Sequence, residues 1–385
     1  MAGSAFERLG LQVESHRWLR LDVLRLVAAG AIVWHHSHAL FYPPSQRPQV
    51  TAQTGDLWLF VILFFIISGV IIAATYGERV GSRAQIGVFF RRRVARLVPL
   101  HLLMLGLLWI MWQAVVALDV QTSSAPDMRP VCIVNNVFLF NGLIRCGAGY
   151  GLNEVSWSIS IEMALYVLFP LFVVVRRYLG GLESLFLATL AMRLVLPIES
   201  LDHVVRASLL LEGVAAFLFG MLLFSYGPRL AKIIPGAGVM LWPAVIGLFV
   251  TAVQDWPVTY TWLLVYTVAV LAVAADSRQV ATGWVGRMAP LGQLTYGIYM
   301  WHTMIIAVVL NGIALKWLDL SGAPLIAVAL ATYGAVVVIS YASWRWFERP
   351  MRDAIGGGHA RPIAAIGTTG LSDPSERTTS HAPVA

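Results

Sequence analysis

Charge is what this sequence has least of. Only 12% of its 385 residues are Asp, Glu, Lys or Arg, while 58% are hydrophobic. Soluble domains carry about 25% charged residues, so the scarcity excludes a soluble domain and implies a polytopic membrane protein. The net charge of +7 does not point to nucleic acid, because the basic residues cluster between apolar runs, where they orient a chain across a bilayer. Cysteine is nearly absent. Cys132 and Cys146 share one polar loop, as a disulfide or as two unpaired thiols, the former permitted if the loop lies outside the cytoplasm. No second Cys/His or acidic cluster with ligand spacing is visible beside the HHSH run at 35–38, so no metal is expected. No internal repeat supports an inverted-repeat transporter. No small-residue cleavage site follows the first apolar run, which is long enough to span, so it is expected to be retained.

What is present is a series of apolar runs. They predict ten spans, near 21–40, 57–75, 97–117, 155–175, 184–197, 208–226, 238–253, 260–275, 293–315 and 324–344. The fifth and seventh are short, with Pro197 and Pro243 flanking or interrupting them, as in tilted, broken or re-entrant helices. With the N-terminus inside, 20 of the 27 Lys and Arg fall in cytoplasmic segments and five in outer loops, Arg25 and Arg193 lying within spans. That asymmetry predicts an all-α polytopic fold of about ten transmembrane helices with both termini cytoplasmic. Its parts would be a cytoplasmic N-terminal segment 1–20, a transmembrane domain 21–352 and a disordered cytoplasmic tail 353–385. The long outer loop 118–154 contains VCIVNNVFLF and is expected to fold back as a lid or interfacial helix.

Ionisable residues inside these runs are the candidates for function, because they are costly in a membrane. The first span, LDVLRLVAAGAIVWHHSHAL, carries Arg25 and His36 eleven residues apart. On one helix they share a face to within about 20° and stand about 16.5 Å apart. His36 has the chemistry of a general base near neutral pH; the alternative is a histidine that only bonds a neighbouring helix. Arg25 needs an anionic partner, either Asp22 three residues earlier, Glu162, or a ligand. Glu162 lies in WSISIE, about two turns into the fourth span, with Trp157, Ser158 and Tyr166 at related spacings. Arg91, Arg92, Arg93 and Arg96 precede the third span, suited either to lipid headgroups or to a phosphorylated ligand. Ser68 and Gly69 in FFIISG permit close approach of a ligand or a helix. Tyr296, Tyr299 and His302 form an i, i+3, i+6 stripe, either an interfacial aromatic belt or a ligand wall. Arg345 and Glu348 in WRWFERP are spaced to pair.

These pieces, in this order, resemble the acyltransferase-3 family of integral-membrane acyltransferases, over roughly Leu19 to Arg352. The ARLVPLH segment and short chain are most similar to bacterial enzymes that O-acetylate exopolysaccharide. The resemblance implies transfer of an acyl group, commonly acetyl, from cytoplasmic acetyl-CoA or another acyl-CoA to a hydroxyl, often on a cell-surface polysaccharide or lipid-linked sugar. It implies that Arg25 and His36 are essential. On that basis His36, Arg25 and Glu162 are the expected catalytic residues. Arg91, Arg92, Arg93, Arg96 and Ser68 would hold the donor, and Trp157, Tyr296, Tyr299 and His302 would meet the acceptor. The expected location is the inner (plasma) membrane, with polysaccharide assembly proteins as partners. Longer family members carry an extracytoplasmic esterase-like domain; about 40 residues after the last span leave no room for one, so direct hand-over or a separate protein is expected. Two other readings fit ten spans with buried charge: acylation of a lipid or small molecule, and export of a polar solute by a secondary transporter.

Overall fold

The computed structural model describes residues 6, 9–11, 18–120, 125–147, 149–179, 181–195, 206–254 and 256–357. Among them every extended element is helical. The principal helices are α1 (Leu19–His35), α2 (Leu59–Tyr76), α3 (Arg83–Ala117), α4 (Trp157–Val174), α5 (Leu182–Val195), α6 (Ala207–Ile233), α7 (Ala237–Val253), α8 (Val258–Arg278), α9 (Thr295–Ile305), α10 (Gly322–Ser343) and α11 (Arg349–Gly356). Counting contiguous turns together, seven helices among the described residues are long and apolar enough to cross a membrane. The other three expected spans fall on α1, α5 and α7, of 17, 14 and 17 residues. Pro243 lies within α7, while Pro197 falls outside the described residues.

Burial orders the bundle. The most apolar 18-residue stretch of Gly55–Tyr76, the helix that includes α2, is 78% buried, whereas that of Gly322–Gly356 is 22% buried, so α2 is central and α10 peripheral. The side chains of α2 from Leu59 to Leu63 are all buried. The closest helix contact is α2 against α6, and it depends on two glycines. A Cβ on Gly69 would stand 2.2 Å from the carbonyl oxygen of Phe217, and one on Gly220 would stand 2.1 Å from that of Ile66. Neither backbone can yield, so only glycine fits at this crossing. Gly69 in FFIISG therefore serves helix packing, while its neighbour Ser68 is free to do something else.

Helix α1 packs against α2, α8 and α9. Its first turn is stapled by Arg20, whose guanidinium lies 2.8 Å from Asp276 at the end of α8, both groups buried. The α3 helix opens on a capping box between Ser82 and Gln85 and carries the arginine cluster as regular helix. Its 35 residues give about 52 Å of length, so the arginines continue the spanning rod. Pro99 lies inside α3 and removes one backbone donor. Nearby, the hydroxyl of Tyr296 donates to the carbonyl of Leu97 at 2.5 Å.

Two expectations change here. The expected Arg345–Glu348 pair does not form: Arg345 is exposed, and Glu348 turns inward to accept from Ser343 at 2.9 Å. Residues Trp344–Glu348 form a π-helical turn, whose wider winding takes residues three apart off a common face. Residues 353–356, expected in the disordered tail, are helical, because α11 runs to Gly356. The residues from 358 onward lie outside the described residues.

The loop between α3 and α4 is ordered where described. Cys132 and Cys146 form a disulfide, which settles the open alternative for those thiols. The short helix Pro130–Val137 lies over the end of the bundle that holds His36. Asn136 ties it down: its side chain donates to the Cys132 carbonyl at 2.9 Å, and its own carbonyl meets Nε2 of the buried His101 on α3 at 2.8 Å. Asn141 donates to the Tyr150 carbonyl and to Ser156, each at 2.9 Å. On the loop surface, hydrogen bonds from Arg129 hold the Asp127 carboxyl below the usual carboxylate range.

Candidate functional site

Helix α1 is unbroken from Leu19 to His35, with His36 as its C-cap. Arg25 and His36 are thus held about 16.5 Å apart by regular helix and do not meet. Arg25 stands 3.7 Å from Asp22 on the same face, both side chains largely buried. Asp22 itself is packed against Gly292, where an added Cβ would come within 3.0 Å of the aspartate Cβ. Of the partners open to Arg25, the structure thus shows Asp22.

His36 is accessible despite its depth because it opens onto a cavity of about 400 Å³. The walls come from five parts of the chain. Trp58 and Val61 come from the start of α2, Tyr150 and Glu154 from the disulfide loop, Trp157 from α4, Ser208 and Glu212 from α6, and Tyr299 from α9. The rings of Tyr150 and Trp157 stack at 5.5 Å, and the guanidinium of Arg206 covers the other aromatic surface, 3.9 Å from the Tyr150 centroid. Arg206 also donates to the Gly149 carbonyl at 2.7 Å. The Tyr299 hydroxyl lies 2.8 Å from Ser158 and donates to the Val155 carbonyl at 3.0 Å. The cavity thus offers the imidazoles of His35 and His36, two carboxylates and four aromatic side chains to a polar ligand.

A second polar cluster lies deeper, toward the arginine end. Ser68 donates to Glu162 at 3.1 Å, and Tyr166 donates to the same carboxylate oxygen. The guanidinium of Arg93 lies 5.8 Å from the Tyr166 ring and 5.4 Å from the Tyr76 ring. Its Nε is buried and without a hydrogen-bond partner among the described residues. Arg96, on the same helix, feels both Tyr166 and Tyr296. Arg91 is exposed and reaches the end of α11, where a Cβ on Gly357 would stand 2.3 Å from its guanidinium. Arg92 is half-buried.

His36 and the arginines thus lie at opposite ends of one bundle, within a stretch of sequence that a known family covers. A family model described as an acyltransferase domain fits residues 18–345. The chain belongs to the acyltransferase-3 family. Among curated proteins, this acyltransferase-3 chain is 35% identical over 98 residues to "Protein 2 in picA locus" of Rhizobium radiobacter. That stretch is 25% of this chain and 47% of the relative, so the chain spans about half the length of the curated protein it matches. No solved structure matches it.

Six of the expected site residues fall in these two clusters. His36, Trp157 and Tyr299 line the cavity. Ser68, Glu162 and Arg93 form the inner cluster with Tyr166. Tyr296 and His302, expected on the acceptor wall, are not on it. Tyr296 is spent on the Leu97 carbonyl, and His302 is fully buried behind His36. The stripe of three therefore serves three separate surroundings. Sequence reasoning missed Glu212, Glu154, Tyr150 and Trp58. Glu212 had a signal: it interrupts the apolar run LLLEGVAAFLFG as Glu162 interrupts its own. The loop residues had none, since only the folded loop brings them to the cavity.

Proposed function

We propose that this acyltransferase moves an acetyl group from cytoplasmic acetyl-CoA to a hydroxyl of a cell-surface polysaccharide or lipid-linked sugar in the plasma membrane. The observation that carries the reading is His36 opening onto a cavity walled by aromatic rings and carboxylates, at the opposite end of the bundle from the arginine cluster. Stacked aromatics and carboxylate acceptors suit the faces and hydroxyls of a sugar. The Lys and Arg distribution makes the arginine end cytoplasmic and the cavity end external.

In this reading the phosphates of the donor rest on Arg91 and Arg92, and its pantetheine arm passes Arg93 and the Ser68–Glu162–Tyr166 group. The Nε–H of Arg93, which has no hydrogen-bond partner among the described residues, is a donor suited to a carbonyl or phosphate of that arm. The acceptor hydroxyl enters the cavity, and His36 takes its proton as the oxygen attacks the thioester carbonyl. A C–O bond forms and the C–S bond breaks. The proton held by His36 passes to the departing thiolate, so free CoA-SH and the O-acetyl ester leave with no net change in charge. Arg25 holds Asp22 and fixes the helix that presents His36.

Purified protein in lipid nanodiscs tests this, supplied with acetyl-CoA and de-O-acetylated polysaccharide from the producing cells. Acceptor-dependent release of free thiol supports the reading. Solute flux through proteoliposomes without thiol release contradicts it.

A further inference from the structure

Among the described residues, the side-chain hydrogen bonds of His302 go to the backbone of its own helix. Its Nδ1 lies 3.2 Å from the carbonyl oxygen of Ile298, one turn earlier on α9. A carbonyl only accepts, so Nδ1 carries the proton and Nε2 is left as an acceptor. That Nε2 is buried and has no partner among the described residues, and the whole residue is sealed from solvent. A buried acceptor without a donor is a costly arrangement that native proteins rarely keep without reason. The nearest aromatic neighbours of the His302 ring are His36, at 5.1 Å between centroids and tilted by 49°, and Tyr299 at 5.8 Å. Tyr299 already donates its hydroxyl proton to the Val155 carbonyl. The side chain of His36 makes ring contacts with His35 and His302. Two imidazole rings with centroids 5.1 Å apart are close enough for a nitrogen of one to reach a nitrogen of the other when the two face each other.

We infer that His302 is a positioning residue for His36, accepting an N–H from it and so leaving its other nitrogen bare toward the cavity. The inference rests on the reading of His36 as the base. The chain of contacts runs from the Ile298 carbonyl through His302 to His36 and then to the acceptor hydroxyl. It gives His36 a defined tautomer without an orienting carboxylate. The other ionisable groups facing His36 are His35 and His38 on its own segment, Tyr299 on α9, and Glu154 and Glu212 across the cavity. When His36 takes the acceptor proton it carries two N–H groups, one of them held by neutral His302, and the cavity-facing one is passed on to the thiolate. His302 gains and loses no proton.

The test uses the full-length chain in nanodiscs with H302L, which removes the acceptor, H302Q, which keeps a carbonyl acceptor, and H36Q. Magic-angle-spinning NMR of 15N-histidine protein reads the His36 tautomer directly, its signals assigned by their loss in H36Q. Wild type and H302Q should show one His36 tautomer with a hydrogen-bonded N–H, and H302L a mixture of two. In the thiol-release assay with acetyl-CoA and de-O-acetylated polysaccharide, H302L should lose about 10- to 100-fold in kcat with the KM for acetyl-CoA unchanged, and H302Q should recover most of it. An unchanged single His36 tautomer in H302L overturns the inference, as does wild-type kcat in H302L while H36Q is inactive. Activity retained in H36Q removes instead the assignment of the base, and the tautomer spectra still report whether the two rings are bonded.

Discussion

Ser68 and Glu162 meet across two helices, the serine hydroxyl 3.1 Å from the carboxylate, with Tyr166 donating to the same oxygen from the next turn. A carboxylate in a membrane bundle needs such donors. Removing one donor with Ser68→Ala should lower stability by about 1–2 kcal/mol, read as a lower unfolding midpoint in detergent. Glu162→Gln keeps a carbonyl for both donors and should hold its midpoint near wild type. It loses the charge facing the donor path, so thiol release from acetyl-CoA should fall about tenfold or more. A Glu162→Gln protein that unfolds early would assign the residue to structure alone.

Asp22 and Arg25 form a mostly buried pair within one turn of α1. Breaking one partner of a buried pair leaves an uncompensated charge, at a cost of about 3–5 kcal/mol, whereas removing both is much milder. Arg25→Gln and Asp22→Asn should each lower the unfolding midpoint strongly, and the double variant should regain most of the loss. Additive losses in the double variant would mean that each residue has its principal partner elsewhere.

Tyr150 and Glu154 of the cavity wall follow directly on the Cys132–Cys146 disulfide, which closes a loop with a sequence separation of 14. A loop of this length gives about 3 kcal/mol through restriction of the unfolded chain. Reduction, or Cys132→Ser with Cys146→Ser, should lower the unfolding midpoint and raise protease cleavage within 118–154. Acceptor-dependent activity should fall with it, because Tyr150 and Glu154 are carried on that loop. Unchanged protease resistance in the reduced protein would show that the Asn136 and Asn141 hydrogen bonds hold the wall unaided.

How far the sequence foretold all this follows from where each signal resided. The apolar runs marked the helices, because lipid forces backbone pairing within each segment. They marked α5 and α7 as short, as they are, but gave no sign that the first helix stops at His35 while its apolar run continues to Leu40. His36 and Glu162 were legible as ionisable groups in apolar runs. The spacing of Tyr296, Tyr299 and His302 was legible as one face, yet their destinies differ because α3, α4 and α1 each approach that face at a different level. The Arg20–Asp276 staple joins residues 256 apart, and no local pattern announces it. The π-helical turn that separates Arg345 from Glu348 was likewise invisible to a reading based on regular helix.

The central claim is that His36, opening onto the cavity, takes the proton of the acceptor. The most direct measurement is the O-acetyl content of cell-surface glycans, by NMR, in a deletion strain complemented with wild type or with His36→Ala at equal membrane abundance. Wild type should restore the acetyl signal, and His36→Ala should leave it at the deletion level. An acetyl signal restored by His36→Ala would contradict it.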